Sequence, residues 1–460
     1  MKKTDYYGFI RLEANAYSPI CIAGGEEEES DHDVIRNFDG EFFLPGTSLA
    51  GAFRAYCEEM IQKQVQLQKA NDCLKQNTVK WKQQDVDQLF GYAQGEDSKE
   101  SSFFVFDGEI KQAKRIIRDG IALSEDKITL ETKKYTYEAL DAGTEIVMEW
   151  VVKATLEEKE RFLEMLRMIT AGIHSGRVRL GHKKMRGMGE LRISEVLLCE
   201  FEKGTDHAYG WQEFSWEKAL NNRKKYSVKN VTAEWQTKRW EENQIQIVVP
   251  LKLRGGLSIR QYSAKIKEKD SDQIEADFQQ IERTKEKDGK TYRCAVIPGS
   301  TWNGALRHQC KKVLQELGLS SSKAEQWIQE IFGYVKETEK EAYRSQIEVK
   351  ESELSQDSEP VFMVRNRINR FEGGTMDGAL YTELSYFGGD TNITLFIPDK
   401  ETCYWAVGLL ILVLKDIANG FFAIGGQTAI GRGIFCGTVN MEKEAYYLEK
   451  LASRIEEELS

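Results

Sequence analysis

Apolar residues stand at every second position in two distant stretches of the chain: Ile10, Leu12, Ala14 and Ala16, then Ile245, Ile247, Val249, Leu251 and Leu253. A period of two predicts a half-buried β-strand in each place. A glycine pair follows both, Gly24-Gly25 and Gly255-Gly256. Further on the period lengthens to that of a helix. Leu49, Ala52, Phe53, Tyr56 and Met60 form one apolar stripe, and Trp302, Ala305, Leu306, Val313, Leu314 and Leu317 form another. The hydroxyl residues before each stripe are expected at the N-cap. Second apolar helices are predicted over residues 162–169 and 406–417. Strand, helix, strands, helix, strand is the order of a ferredoxin-like (RRM-like) α+β sandwich. Such a domain needs about 100 residues, and each stretch has about twice that, so each must carry insertions.

Internal motifs show that the two stretches are copies. Only six prolines occur, and two of them open Pro45-Gly46-Thr47-Ser48-Leu49-Ala50-Gly51-Ala52-Phe53-Arg54 and Pro298-Gly299-Ser300-Thr301-Trp302-Asn303-Gly304-Ala305-Leu306-Arg307. Leu89-Phe90-Gly91-Tyr92 pairs with Ile331-Phe332-Gly333-Tyr334, Arg118 and Ile121 with Arg365 and Ile368, and Gly187-Met188-Gly189 with Gly431-Arg432-Gly433. Four ordered anchors at a near-constant offset of about 250 residues indicate one domain present twice. The expected boundaries are 1–203, a connector over 204–243, and 244–460. The connector is polar but carries Trp211, Trp216, Trp235 and Trp240, which suit a segment packed down rather than free.

Composition narrows the class. With 41% hydrophobic and 10% aromatic residues the chain can build cores and is not a disordered one. No apolar run approaches the roughly 18 residues of a membrane span, and Met1 to Asp5 lead into a strand rather than a signal-peptide core. Eight scattered cysteines without a CxxC argue against a structural zinc site and suit a reducing cytoplasm. The formal charge of −10 argues against RNA binding only on average, because the cations are clustered.

One cluster is His174 to Gly189, which holds Arg177, Arg179, Lys183, Lys184 and Arg186 with four glycines and no acid. Glycines let a phosphate backbone approach main-chain N–H groups, while the cations neutralise it. The second copy, Gly425 to Gly433, keeps Gly426, Gly431 and Gly433 but only Arg432 as a cation. Glycine is the shared feature. A second cluster, Arg365, Arg367 and Arg370 beside Ile368 and Phe371, predicts a hairpin with a basic root and apolar arms. Arg115, Arg118, Lys133, Lys134, Tyr135 and Tyr137 predict its counterpart. Such a hairpin can grip a phosphate backbone and wedge a side chain between bases. Acid chemistry is confined to Asp31-His32-Asp33 and, in the second copy, Asp277. Two carboxylates there could bind hydrated Mg²⁺ or orient a ribose 2′-OH. No Ser-His-Asp or Cys-His arrangement is visible among the five histidines.

Together, the glycine segment before Asp31-His32-Asp33-Val34-Ile35-Arg36, the proline-glycine turn, Leu-Phe-Gly, the arginine hairpin and the Gly-x-Gly loop resemble the RAMP superfamily of CRISPR proteins. The likeness is to backbone subunits of type III effector complexes, here as a tandem fusion. The resemblance implies guide-RNA contacts from Ser48, Arg54, Ser300, Arg307 and the glycine loops, and thumb hairpins centred on residues 118–137 and 365–381. It also implies cleavage of target RNA by a loop aspartate with Mg²⁺ or another divalent cation. Asp31 matches that aspartate, Asp33 stands where the family often has proline, and Asp277 is the counterpart in the second copy. The implied partners are guide CRISPR RNA, single-stranded target RNA and other effector subunits. Two alternatives are a non-catalytic RNA scaffold and a repeat-processing nuclease with His32 or His308 as base.

Overall fold

The computed structural model describes residues 4–25, 32–70, 81–94, 97–123, 129–205, 210–237, 244–261, 276–287, 290–336, 341–376 and 378–460. By contacts the chain divides into two units. The first is Met1–Ile116, Tyr137–His182 and Met188–Glu241; the second is Ile117–Thr136, Lys183–Gly187 and Glu242–Ser460.

In the first repeat the order is β1 (Tyr6–Ala16), β2 (Asp33–Val34), α1 (Gly46–Ala70), α2 (Gln83–Phe90), β3 (Gly108–Gln112), β4 (Arg115–Leu123), β5 (Thr129–Leu140), β6 (Glu145–Ala154), α3 (Leu156–His174) and β7 (Leu191–Glu202). The alternating strand β1 is central. It runs antiparallel to β6, with Tyr6 opposite Ala154, and to β7, with Tyr6 opposite Glu202. The sheet order β7–β1–β6–β3 is that of a ferredoxin-like domain. Ile10, Leu12, Ala14 and Ala16 face a core that includes Phe53, Trp150 and Phe162. The Trp150 ring meets Phe53 and Phe103 edge-on at 5.1 and 5.5 Å. The long hairpin β4–β5 forms its own two-stranded sheet.

The segment after β7 folds as α4 (Trp216–Asn221), β8 (Lys229–Asn230) and α5 (Thr232–Gln236). It groups with the first unit, because its aromatic residues bury there. Trp211 stacks on Tyr7 at 4.2 Å and Phe214 meets Phe9 at 4.3 Å, covering the outer face of β1. Strand β8 pairs with β7, Asn230 opposite Leu197, and Trp235 is fully buried in the core. Trp240 lies outside the described residues.

The second repeat follows the same order: β9 (Gln244–Arg254), β10 (Phe278–Gln280), α6 (Gly299–Glu316), α7 (Ser321–Phe332), β11 (Glu348–Val349), β12 (Glu359–Arg365), β13 (Tyr381–Phe387), β14 (Asp390–Pro398), α8 (Tyr404–Ala418) and β15 (Ile434–Gly437). Its sheet, β11–β14–β9–β15, repeats the ferredoxin-like arrangement around β9. Hairpin β12–β13 is antiparallel from Glu359 opposite Phe387 to Arg365 opposite Tyr381. A closing helix, α9 (Glu444–Leu459), packs on α8, and Arg454 lies over the rings of Trp327 and Trp405 at 4.3 and 4.0 Å.

Two local expectations differ. The helix after each proline-glycine turn starts at the glycine rather than after a hydroxyl cap. Pro298, with extended φ −58° and ψ 143°, occupies the N-cap without a side-chain bond, and the Gly46 N–H donates to Asp107 at 2.7 Å. Thr47, Ser48 and Ser300 are therefore exposed in the first turn. Leu317 is 39% exposed because α6 has ended by that residue.

Close backbone approach fixes the two glycine loops. A Cβ on Gly189 (φ +83°) would lie 2.0 Å from the Leu180 carbonyl oxygen, and one on Gly433 (φ +70°) 1.8 Å from that of Ile424. Gly433→Ala and Gly189→Ala should each destabilise the protein by roughly 2–4 kcal/mol, combining positive φ with overlap. Gly304→Ala, on an open helical face, should stabilise by about 1 kcal/mol. Urea unfolding midpoints check both signs.

Candidate nucleic-acid interface

The arginine that recurs after each proline-glycine turn has an internal task. Arg54 donates to the Gly91 carbonyl at 2.8 Å and to Asp87 at 2.9 Å; Arg307 donates to the Gly333 carbonyl at 3.3 Å and to Glu325 at 2.9 Å. Gly91 and Gly333 share φ near +70°. Ser101 and Ser345 close the same turns by donating to the Leu89 and Ile331 carbonyls at 3.0 and 3.2 Å. These arginines therefore clamp the end of α2 or α7, which explains why the two motifs travel together. Their guanidinium groups stay partly accessible, but the cations facing outward from this region are fewer than the sequence suggests.

Both glycine loops adopt one conformation. Lys183 and Gln427 are left-handed (φ 56° and 58°), each followed by a 3₁₀ turn, Lys184–Arg186 or Thr428–Ile430, and a left-handed glycine, Gly187 or Gly431. Leu180 N–H donates to the Gly189 carbonyl and Ile424 N–H to that of Gly433, both at 2.9 Å. Gly426 N–H reaches the Ser258 carbonyl as His182 N–H reaches that of Cys21, both at 2.8 Å. What differs is the side chains presented. In the first loop Arg186 is exposed, and Lys183 lies over the Tyr135 ring at 4.7 Å. Burial and then the nearby Arg344 charge lower the Lys184 pKa. Arg177 is half-buried. Arg179 is buried, donating to the Gly176 carbonyl at 3.0 Å and lying 3.7 Å from the buried Glu190. In the second loop Arg432 is 9% exposed, with its guanidinium 4.5 Å above Phe387.

At the second hairpin, exposure separates tip from root. Arg367 and Arg370 are exposed, without an acidic partner among the described residues, beside Ile368 (61% exposed) and Phe371 (95%). Arg365, at the root, lies 3.2 Å from the buried Glu383. In the first repeat Arg115 pairs with the buried Glu138, and Arg118, within the second unit, with Glu351. The side chains of Lys133 and Lys134 lie outside the described residues.

Asp31 also lies outside the described residues. Asp33 sits in β2 and is buried. The Glu138 N–H donates to the His32 carbonyl at 2.9 Å, while Phe278 stands beside Glu383 in a parallel pairing. Asp277 therefore occupies the register of His32, one place beyond Asp31. Its carboxylate accepts from Thr382 N–H at 2.6 Å and Thr382 Oγ1 at 2.8 Å, and these bonds hold its pKa below the usual range. No cluster of three His, Cys, Asp or Glu side chains suited to a metal occurs among the described residues.

Sequence reading passed over Glu138 and Glu383. Each stands the same distance before the next strand, Glu138 before Glu145 and Glu383 before Asp390, on the second arm of its hairpin. An acid at matching positions in the two repeats was the available signal. Burial alone would raise the Glu383 pKa, but hydrogen bonds from Ser385 and Gln427 and the charges of Arg365 and Arg432 outweigh it and hold the carboxyl below its ordinary range.

Fold and site together define a tandem pair of ferredoxin-like domains, each with a glycine loop, a basic-rooted hairpin and an aspartate at the hairpin's foot. The chain belongs to the RAMP superfamily, whose family model matches residues 13–192 and 244–436, one match per repeat. It is thereby a CRISPR-associated RNA-binding protein. No curated protein matches the chain.

A depressed carboxyl stabilises the fold above its unfolded-state pKa and stops doing so as pH falls through its folded value. The stability advantage of the native protein over Glu383→Gln should therefore be full at neutral pH and shrink below pH 4.5, the ordinary glutamate value. Denaturant titrations at a series of pH values test this.

Proposed function

We propose that the protein is a backbone subunit of a type III CRISPR effector complex, carrying guide RNA across both repeats and cutting the paired target RNA by an aspartate-assisted, metal-dependent reaction. The observation that supports this most is the second hairpin tip. Phe371 and Ile368 stand in solvent beside two outward arginines, an arrangement suited to gripping phosphates and wedging between bases.

Ser48 and Ser300, in the exposed first turns of α1 and α6, offer hydrogen bonds to a guide backbone, while Gly187, Gly189, Gly426, Gly431 and Gly433, whose N–H groups bond to carbonyls within the fold, shape the loops that present the neighbouring side chains. Arg186, Lys183 and Lys184 add charge in the first loop. The second loop substitutes Gln427, Thr428 and Ile430, so the two repeats hold RNA unequally.

Cleavage is assigned to Asp31 and Asp33 in the first repeat, with Asp277 as their counterpart in the second. A divalent cation binding one or two carboxylates and RNA phosphates keeps most of its waters, so a single loop carboxylate suits it better than a protein cage. When bound, the cation supplies charge stabilisation at the scissile phosphate. The protein's own part is to orient the target ribose 2′-OH toward the adjacent phosphate. Asp277 is engaged by Thr382, and this favours a second repeat that binds RNA without cutting. We also assign the protein to a reducing cytoplasm, where its buried thiols stay free. Cys57, Cys199, Cys310, Cys403 and Cys436 form no disulfide, and no described helix is long and apolar enough to cross a membrane.

With guide and target in Mg²⁺, combined Asp31→Ala and Asp277→Ala substitution should abolish cutting while leaving guide binding intact; persistent cutting rejects the assignment. Arg367→Ala and Arg370→Ala should each weaken RNA binding and lower the slope of log K against log salt by about 1. Filter binding across a salt series measures it.

A further inference from the structure

At the root of each hairpin lies one fully buried carboxylate, and the two spend their oxygens differently. Such a group must be matched by donors, because an unpaired buried charge is strongly unfavourable. Glu138 accepts the Val34 N–H at 2.9 Å, Arg36 Nη2 at 2.8 Å and Arg115 Nε. Two of those donors belong to the loop that carries Asp33, and the third to the first hairpin arm. Glu383 accepts Ser385 Oγ and, at 2.8 Å, Gln427 Nε2, with Arg365 Nε at 3.2 Å. Its donors come from the glycine loop and the hairpin's second arm, and Arg365 of the first arm pairs with it by charge.

From this geometry we infer that Glu138 and Glu383 are positioning residues with divided tasks. Glu138 sets the aspartate loop against the first hairpin; Glu383 sets the second glycine loop against the second hairpin. The inference rests on the RNA-binding reading above and adds an asymmetry to it. Glutamine at either place keeps the side-chain volume but removes the charge that holds two or more elements together. Loss at 138 disturbs the loop where cutting is proposed, whereas loss at 383 disturbs where the hairpin meets the duplex.

The test uses the full-length protein assembled with guide RNA, and target strands carrying 2-aminopurine at successive positions, which brightens where a base is unstacked. Cutting rates are read in parallel. Glu138→Gln is expected to slow cutting by about 10²-fold, the effect of displacing a reacting group by about 1 Å, with the pattern of bright positions unchanged. Glu383→Gln is expected to shift or blur the bright positions assigned to the second hairpin. Gln427→Ala and Arg36→Ala, which remove donors from the facing side, should reproduce the two effects and serve if a glutamine variant fails to fold. Variants that match the native protein in pattern and rate while only melting earlier would overturn the inference. A native complex with no bright position would instead overturn the wedging role proposed above, before any variant is compared.

Discussion

Nothing in a hairpin's own arms fixes the angle at which it leaves a domain. The arms satisfy each other's backbone, and the exposed tip at Ile368 and Phe371 contributes no core. Orientation has to come from the root, where the polar groups are withdrawn from water. A buried carboxylate with several donors suits this task, because its hydrogen bonds and ion pairs are strong and directional where solvent is excluded. Glu138 and Glu383 therefore constrain everything distal to them.

The sandwich beneath supplies rigidity. Central strands β1 and β9 are each held on both sides, so the loops leaving their ends start from fixed points. The glycine loops dock onto those ends through main-chain bonds to Cys21 and Ser258. Arg54 and Arg307 draw the neighbouring turns inward. Much of the arginine that looks available for RNA is used in this way. Among the described residues of the glycine loops and the second hairpin tip, Arg186, Arg367 and Arg370 face outward.

Equal backbones with unequal side chains suggest how one domain became two. The left-handed residue, 3₁₀ turn and left-handed glycine are the same in both loops, while lysine becomes glutamine and arginine becomes isoleucine. Asp277 turns toward Thr382, and Asp33 is buried beside Glu138's strand. Geometry was kept where the main chain makes the contact, and chemistry drifted where the side chain does.

Periodicity and repetition were enough to establish the duplicated ferredoxin-like order, the helix faces and the hairpin positions, because each is a local pattern that survives in one dimension. The motif resemblance was legible for the same reason. Which cations face outward was not, since Arg54 and Arg307 find their partners on a different helix, and Arg179 meets Glu190 only across the folded loop. Glu138 and Glu383 gain their meaning only when the fold brings donors from distant segments around them. Tertiary structure decides the fate of a charge, because desolvation and pairing depend on neighbours that sequence spacing does not reveal.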